Sequence, residues 1–143
     1  MAITMEELLE GLNRDLSAEY QAVITYRSFA SLATGPYRQE LRQFFEDEIP
    51  DELGHAQFLA DKIVALGGTP TTEALPVTLT RDNREMLEIA HRAESETIER
   101  YEERVKQAEE LGLTALKIRL EDLIVDETDH KEEIERRLKN WKD

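Results

Sequence analysis

Apolar side chains recur at spacings of three and four along almost all of this 143-residue chain, and two-residue alternation is rare. That period matches one face of an α-helix and does not match a strand, so the chain must bury helical stripes against one another. The first run spans about Met5 to Ala33, with Leu8, Leu12, Leu16, Val23, Tyr26 and Ala30 on one stripe. Gly35-Pro36 then marks a tight turn. A second run spans about Tyr37 to Leu66, with Leu41, Phe45, Leu59 and Leu66 inward, and Pro50 predicts a kink near Glu46 to Pro50. Gly67-Gly68-Thr69-Pro70 ends it.

From there to about Thr80 the chain is rich in Thr and Pro and has no helical period. At about 3.3 Å per residue, such a segment runs most of the length of a 30-residue helix rising about 1.5 Å per residue. Asp82, with Glu85 three residues on, predicts the cap of a third run reaching Leu111. After Gly112, a fourth run extends from about Leu113 to Trp141, with Leu116, Leu120, Leu123, Ile134 and Leu138 inward. Short turns make antiparallel neighbours, and one long link makes the second and third helices parallel. The expectation is an all-α four-helix bundle with a long crossover, one domain over residues 1–143, whose two helical pairs form a loose internal repeat.

Composition removes several functions. With no Cys, neither a disulfide scaffold nor a thiolate metal site can form. Net charge is −14, from 18 Lys+Arg against 32 Asp+Glu, which repels phosphate backbones and attracts cations. No nucleic-acid or membrane partner is expected, since no apolar run approaches the roughly 20 residues needed to span a bilayer. The start lacks a basic segment followed by an apolar one, so the expected location is cytoplasmic.

The stripes are broken in a patterned way. Glu19 falls among Leu12, Leu16, Val23 and Tyr26, and Glu94 falls among Leu87, Ala90, Ile98 and Tyr101. The second helix carries Asp51-Glu52-Leu53-Gly54-His55 and the fourth carries Asp126-Glu127-Thr128-Asp129-His130. Glu and His three residues apart lie about 60° apart around a helix, so both reach one point inside a bundle. Four buried carboxylates without compensation cost several kcal/mol per desolvated charge. Two divalent cations cancel them, and two neutral imidazoles complete the ligand set. Each metal then takes one terminal Glu, one His and the bridging Glu52 and Glu127. Oxygen-rich sites with open positions suit iron or manganese better than structural zinc. A lone Glu-x-x-His in a Glu-rich chain says little, and Glu19 or Glu94 taken singly could be a snorkelling residue at the core's edge. Two such pairs using two of only three histidines, both interrupting apolar stripes, are another matter.

In these residues the chain resembles the bacterioferritins and related ferritin-like di-iron proteins. The resemblance implies Glu19, Glu52 and His55 on one half of a di-iron site, Glu94, Glu127 and His130 on the other, and Glu52 and Glu127 as bridges. It implies a ferroxidase and iron-storage or detoxification protein that oxidises Fe(II) with dioxygen or hydrogen peroxide. Tyr26 matches a tyrosine near that site, against a plain role as core filling. Asp51 and Asp126 match positions that orient ligand imidazoles, against a role as solvated helix-face residues.

Leu53 stands where bacterioferritins carry the haem-binding Met, so no haem is expected. The chain stops at Trp141-Lys142-Asp143, without the short fifth helix of larger ferritins, which favours a homo-oligomeric cage of 12 subunits over 24. The ligand pattern of the DNA-protecting 12-subunit miniferritins, set between subunits, is not found, nor are their basic tails. His91 fits neither ligand pair. The rival readings are a di-iron or di-manganese peroxidase or catalase-like protein without storage, and a non-enzymatic acidic bundle.

Overall fold

In the computed structural model, which describes residues 2–142, four helices follow one another in the expected order and no strand occurs among the described residues. They are α1 (Met5–Leu32), α2 (Arg38–Ala65), α3 (Asn83–Glu110) and α4 (Thr114–Leu138). Local chemistry sets their ends. Thr4 accepts from the backbone N–H of Glu7 at the start of α1, and Asp82 accepts from that of Glu85 at the start of α3. α2 and α3 close with the same device. Gly67 (φ 93°) and Gly112 (φ 72°) turn left-handed, and the next residue donates back to Ile63 and Ala108 respectively. α4 ends earlier than its apolar period predicts, because Asn140 takes φ 60° and turns the chain. Trp141 then leaves the helix and packs against Tyr37. α2 runs unbroken through Pro50.

α1 packs on α2, α3 on α4, and α1 against α3. The cross-helix partners fix directions. Tyr26 meets Glu94 while Asp15 meets Arg104, so α1 and α3 are antiparallel. His55 meets Asp126 while Asp51 meets His130, so α2 and α4 are antiparallel as well. α2 and α3 therefore run parallel, as the long link requires. That link lies along α1: Asn13 bonds the backbone of Thr69 and Thr71, and Leu75 donates to the carbonyl of Ser17.

The apolar core comes in two pieces. One end holds Tyr26, Phe29, Phe45, Met86 and Leu87. The other holds Leu8, Leu12, Leu59, Leu116 and Leu120. Each such side chain fully buried contributes about 1.5–3 kcal/mol, so the two clusters supply the driving force. The middle of the bundle is polar. No helix among the described residues is long and apolar enough to cross a membrane.

Candidate metal centre

The buried polar residues fall in the gap between the two core clusters. Glu19, Glu52, Glu94 and Glu127 are each at most 2% exposed, and His55 and His130 at most 9%. All six sequence-selected residues converge there, in two overlapping groups. Glu19, Glu52, His55 and Glu127 offer atoms within 4.8 Å of one another, and so do Glu52, Glu94, Glu127 and His130. Glu52 and Glu127 belong to both groups, which is the geometry of two cation positions sharing two carboxylates.

Each of the six keeps one buried atom that makes no hydrogen bond of good geometry: Glu19 Oε2, Glu52 Oε1, Glu94 Oε2, Glu127 Oε1, His55 Nδ1 and His130 Nδ1, although His55 Nδ1 lies 2.9 Å from Glu127 Oε1 and His130 Nδ1 lies 2.8 Å from Glu48 Oε2. Buried polar atoms are normally satisfied, and leaving one unmade costs about 1–3 kcal/mol. Four carboxylates and two imidazoles turned toward one space form a donor set that a pair of cations would satisfy once the imidazole protons leave, so the residues fit a metal pair. The other ring nitrogens are occupied. His55 Nε2 lies 3.1 Å from Asp126 Oδ2, and His130 Nε2 lies 3.1 Å from Asp51 Oδ2. The second oxygens of the terminal carboxylates are occupied too: Tyr101 donates to Glu19 Oε1 and Tyr26 to Glu94 Oε1.

Without cations the cluster neutralises itself with protons. Burial, then Glu19 and Glu127, holds Glu52 well above the usual carboxylate range. Burial and Glu127 do the same to Glu94. Burial opposes charge on His55, but Glu127 and Glu19 outweigh it and carry the imidazole up to about 11. His130 rises to about 9 against the same opposition, chiefly through Glu48. Glu127 is pushed up by burial yet ends at about 2, since Glu94 and both imidazoles favour its anion.

An exact internal repeat runs through the site: Glu19, Tyr26, Asp51, Glu52 and His55 each recur 75 residues later as Glu94, Tyr101, Asp126, Glu127 and His130. Tyr101 was missed as a site residue in the sequence, although the seven-residue step from Glu94 repeats that from Glu19 to Tyr26. Two further elements break the repeat. Glu48 Oε2 lies 2.8 Å from His130 Nδ1, where the other half has Leu123. Its place one turn before Glu52 was the available signal. Asp15, 1% exposed, pairs with Arg104 at 2.9 Å and sits one turn before Glu19. Burial raises Asp15 to about 6 although Arg104 pulls it back. Gly11 makes room for that guanidinium, since a Cβ there would stand 2.4 Å from it. His91 lies at the surface, 2.8 Å from Glu135 across α3 and α4.

The family model of the ferritin-like domain matches residues 9–143. The chain belongs to the ferritin-like family. Among ferritin-like proteins of known structure, a ferritin-like diiron-carboxylate protein from Bacillus anthracis strain Ames is 54% identical, with a TM-score of 0.93 over 96% of this chain and 99% of that one. The bacterioferritin of Rhodobacter capsulatus, solved with a metal-free dinuclear site and a haem iron, is 25% identical, with a TM-score of 0.85 over 97% of this chain and 87% of that one. A Dps protein from Bacillus brevis shares the fold at 20% identity and a TM-score of 0.88, over 96% of this chain and 99% of that one. In sequence, a bacterioferritin of Streptomyces coelicolor is 28% identical over 92% of this chain and 80% of its own length.

Proposed function

We propose that this protein is a ferroxidase that oxidises Fe(II) with dioxygen or hydrogen peroxide at an intrasubunit site, and that it stores or detoxifies the product. The observation that carries this reading is the convergence of six buried ligand side chains in two groups that share Glu52 and Glu127. Iron is the substrate, and manganese suits the same donors. Two Fe(II) and two protons convert one hydrogen peroxide into two waters, each iron giving one electron.

The chain's own residues divide the work. Glu19 and Glu94 would each hold one ion, and Glu52 and Glu127, common to both groups, would be shared by the two. His55 and His130 add neutral nitrogen, so the four carboxylates balance two dications. Tyr26 and Tyr101 hold one oxygen of each terminal carboxylate by donating to it, which leaves the other oxygen to the cation. Asp51 and Asp126 accept from Nε2 and keep Nδ1 turned inward.

A homo-oligomeric shell of 12 subunits in the cytoplasm, without haem, completes the reading. Leu53 brings no thioether to the position that holds haem in bacterioferritins. The test compares the rate of Fe(II) oxidation by the parent protein, Glu127→Ala and His55→Ala, with iron retained after gel filtration as a second readout. Loss of rate in both variants supports the assignment, and equal rates end it. A dimer that consumes peroxide and keeps no iron marks a peroxidase instead of a store.

A further inference from the structure

The repeat gives each half of the site an approach between α1 and α3; the two share Ala18, Ala22, Ala93 and Thr97, which repeat onto one another, and differ in the residues beside them. On the Glu94 side lies a cavity of about 160 Å³ whose lining includes Ala22, Ala93, Thr25 and Thr97, with Glu52, Glu94 and Glu127 at its inner end. Tyr26 stands in its wall and Thr78 of the crossover contributes to its lining. It is also lined by Arg92 and Glu96, one charge of each sign, both exposed. On the Glu19 side the repeat places Asp15 where this side has Ala90, Arg100 where it has Thr25, and Arg104 where it has Phe29. Both arginines pair with Asp15, at 3.7 Å for Arg100 and 2.9 Å for Arg104, and the Asp15 and Arg104 side chains are at most 9% exposed.

We propose that the Glu94-side slot is the route by which a small uncharged oxidant, dioxygen or hydrogen peroxide, reaches the metal pair, and that the Asp15–Arg100–Arg104 cluster closes the equivalent route on the other half. This rests on the oxidation reading above. Methyl groups and neutral hydroxyls are a poorer exchange for a dication's hydration shell than carboxylates are, and a mouth with balanced charge does not concentrate it. A volume of about 160 Å³ holds on the order of five waters at roughly 30 Å³ each, ample for dioxygen or hydrogen peroxide. Tyr26, unlike Tyr101, then stands beside the incoming molecule.

The experiment narrows the slot with Thr25→Leu and separately with Ala90→Leu, whose counterparts are Arg100 and Asp15. Cobalt(II) titration reads metal binding, nitric oxide uptake by the cobalt-loaded protein reads entry of a small uncharged probe, and stopped-flow mixing with hydrogen peroxide reads oxidation. The expected result is two cobalt ions bound as in the parent, with nitric oxide entry and oxidation each slowed about tenfold or more. Unchanged entry, or weakened cobalt binding with normal entry, overturns the slot. Adding Asp15→Ala with Arg104→Ala to Thr25→Leu should restore entry by opening the second approach. No restoration in a triple variant that still binds two cobalt ions overturns the closed route. A parent protein that binds cobalt, admits nitric oxide and leaves Fe(II) unoxidised would defeat the ferroxidase reading while the slot assignment stands.

Discussion

Asp126 on α4 lies 3.1 Å from Nε2 of His55 on α2, and this pairing leaves Nδ1 as the nitrogen that faces the buried carboxylates. Asp51 does the same for His130 in the opposite direction. Both aspartates are more than half exposed, so their value is in orientation and not in bulk. An imidazole held by one nitrogen presents the other already aimed, which lowers the ordering cost of binding a cation.

Asp126→Ala should therefore weaken cobalt(II) binding by about 10–100-fold while leaving the helix content unchanged. Asp51→Ala should act similarly through His130. Isothermal titration on both variants checks this, and affinity equal to the parent would return the aspartates to a solvated role.

Tyr26→Phe and Tyr101→Phe each remove a buried donor from a buried carboxylate. Each should lower the stability of the metal-free protein by about 1–3 kcal/mol, read by denaturant unfolding. The repeat predicts similar losses. A large loss in one variant alone would show that the two halves carry unequal electrostatic load.

The metal-free protein should melt at a lower temperature at pH 10 than at pH 7. His55 and His130 bind protons more tightly in the fold than their ordinary value of 6.5, reaching about 11 and about 9. That stabilisation is complete below pH 6.5 and fades as pH rises through about 9 to 11. Glu52 and Glu94, also raised, act in the same direction. Cations compete with these protons, so the melting-temperature gain from added cobalt(II) should shrink as pH falls from about 8 to about 5. Calorimetry with and without chelator measures both trends.

Arg104→Ala should destabilise the fold by about 3–5 kcal/mol, because it strands the Asp15 carboxylate in a buried site. Combining it with Asp15→Ala should recover part of that loss, and a double-variant cycle reads the coupling. Gly11→Ala should cost about 1–3 kcal/mol, since its Cβ meets a guanidinium that Asp15 holds in place.

Much of this arrangement was legible in one dimension. The period of three and four marked four helices, and Asp82 with Glu85 marked the cap of α3, because both signals are local. Glu19, Glu52, His55, Glu94, Glu127 and His130 stood out because each interrupts an apolar row, and burial of a charge without reason is too costly to be casual. The apolar period continues to Trp141, three residues past the end of α4 at Leu138, because the left-handed turn at Asn140 ends the helix. Glu48 and Asp15 were passed over because a carboxylate one turn from a ligand looks the same in sequence whether it faces inward or out.

The sequence by itself determined the helices, their order and the row on which each carboxylate lies, since these follow from spacing along a single helix. Only the tertiary structure decided which oxygen and which nitrogen of each side chain remain unpartnered. Tyr101 with Glu19, Asp126 with His55 and Arg104 with Asp15 are 82, 71 and 89 residues apart. Such pairings arise only when separate helices are packed in register, which no local periodicity encodes.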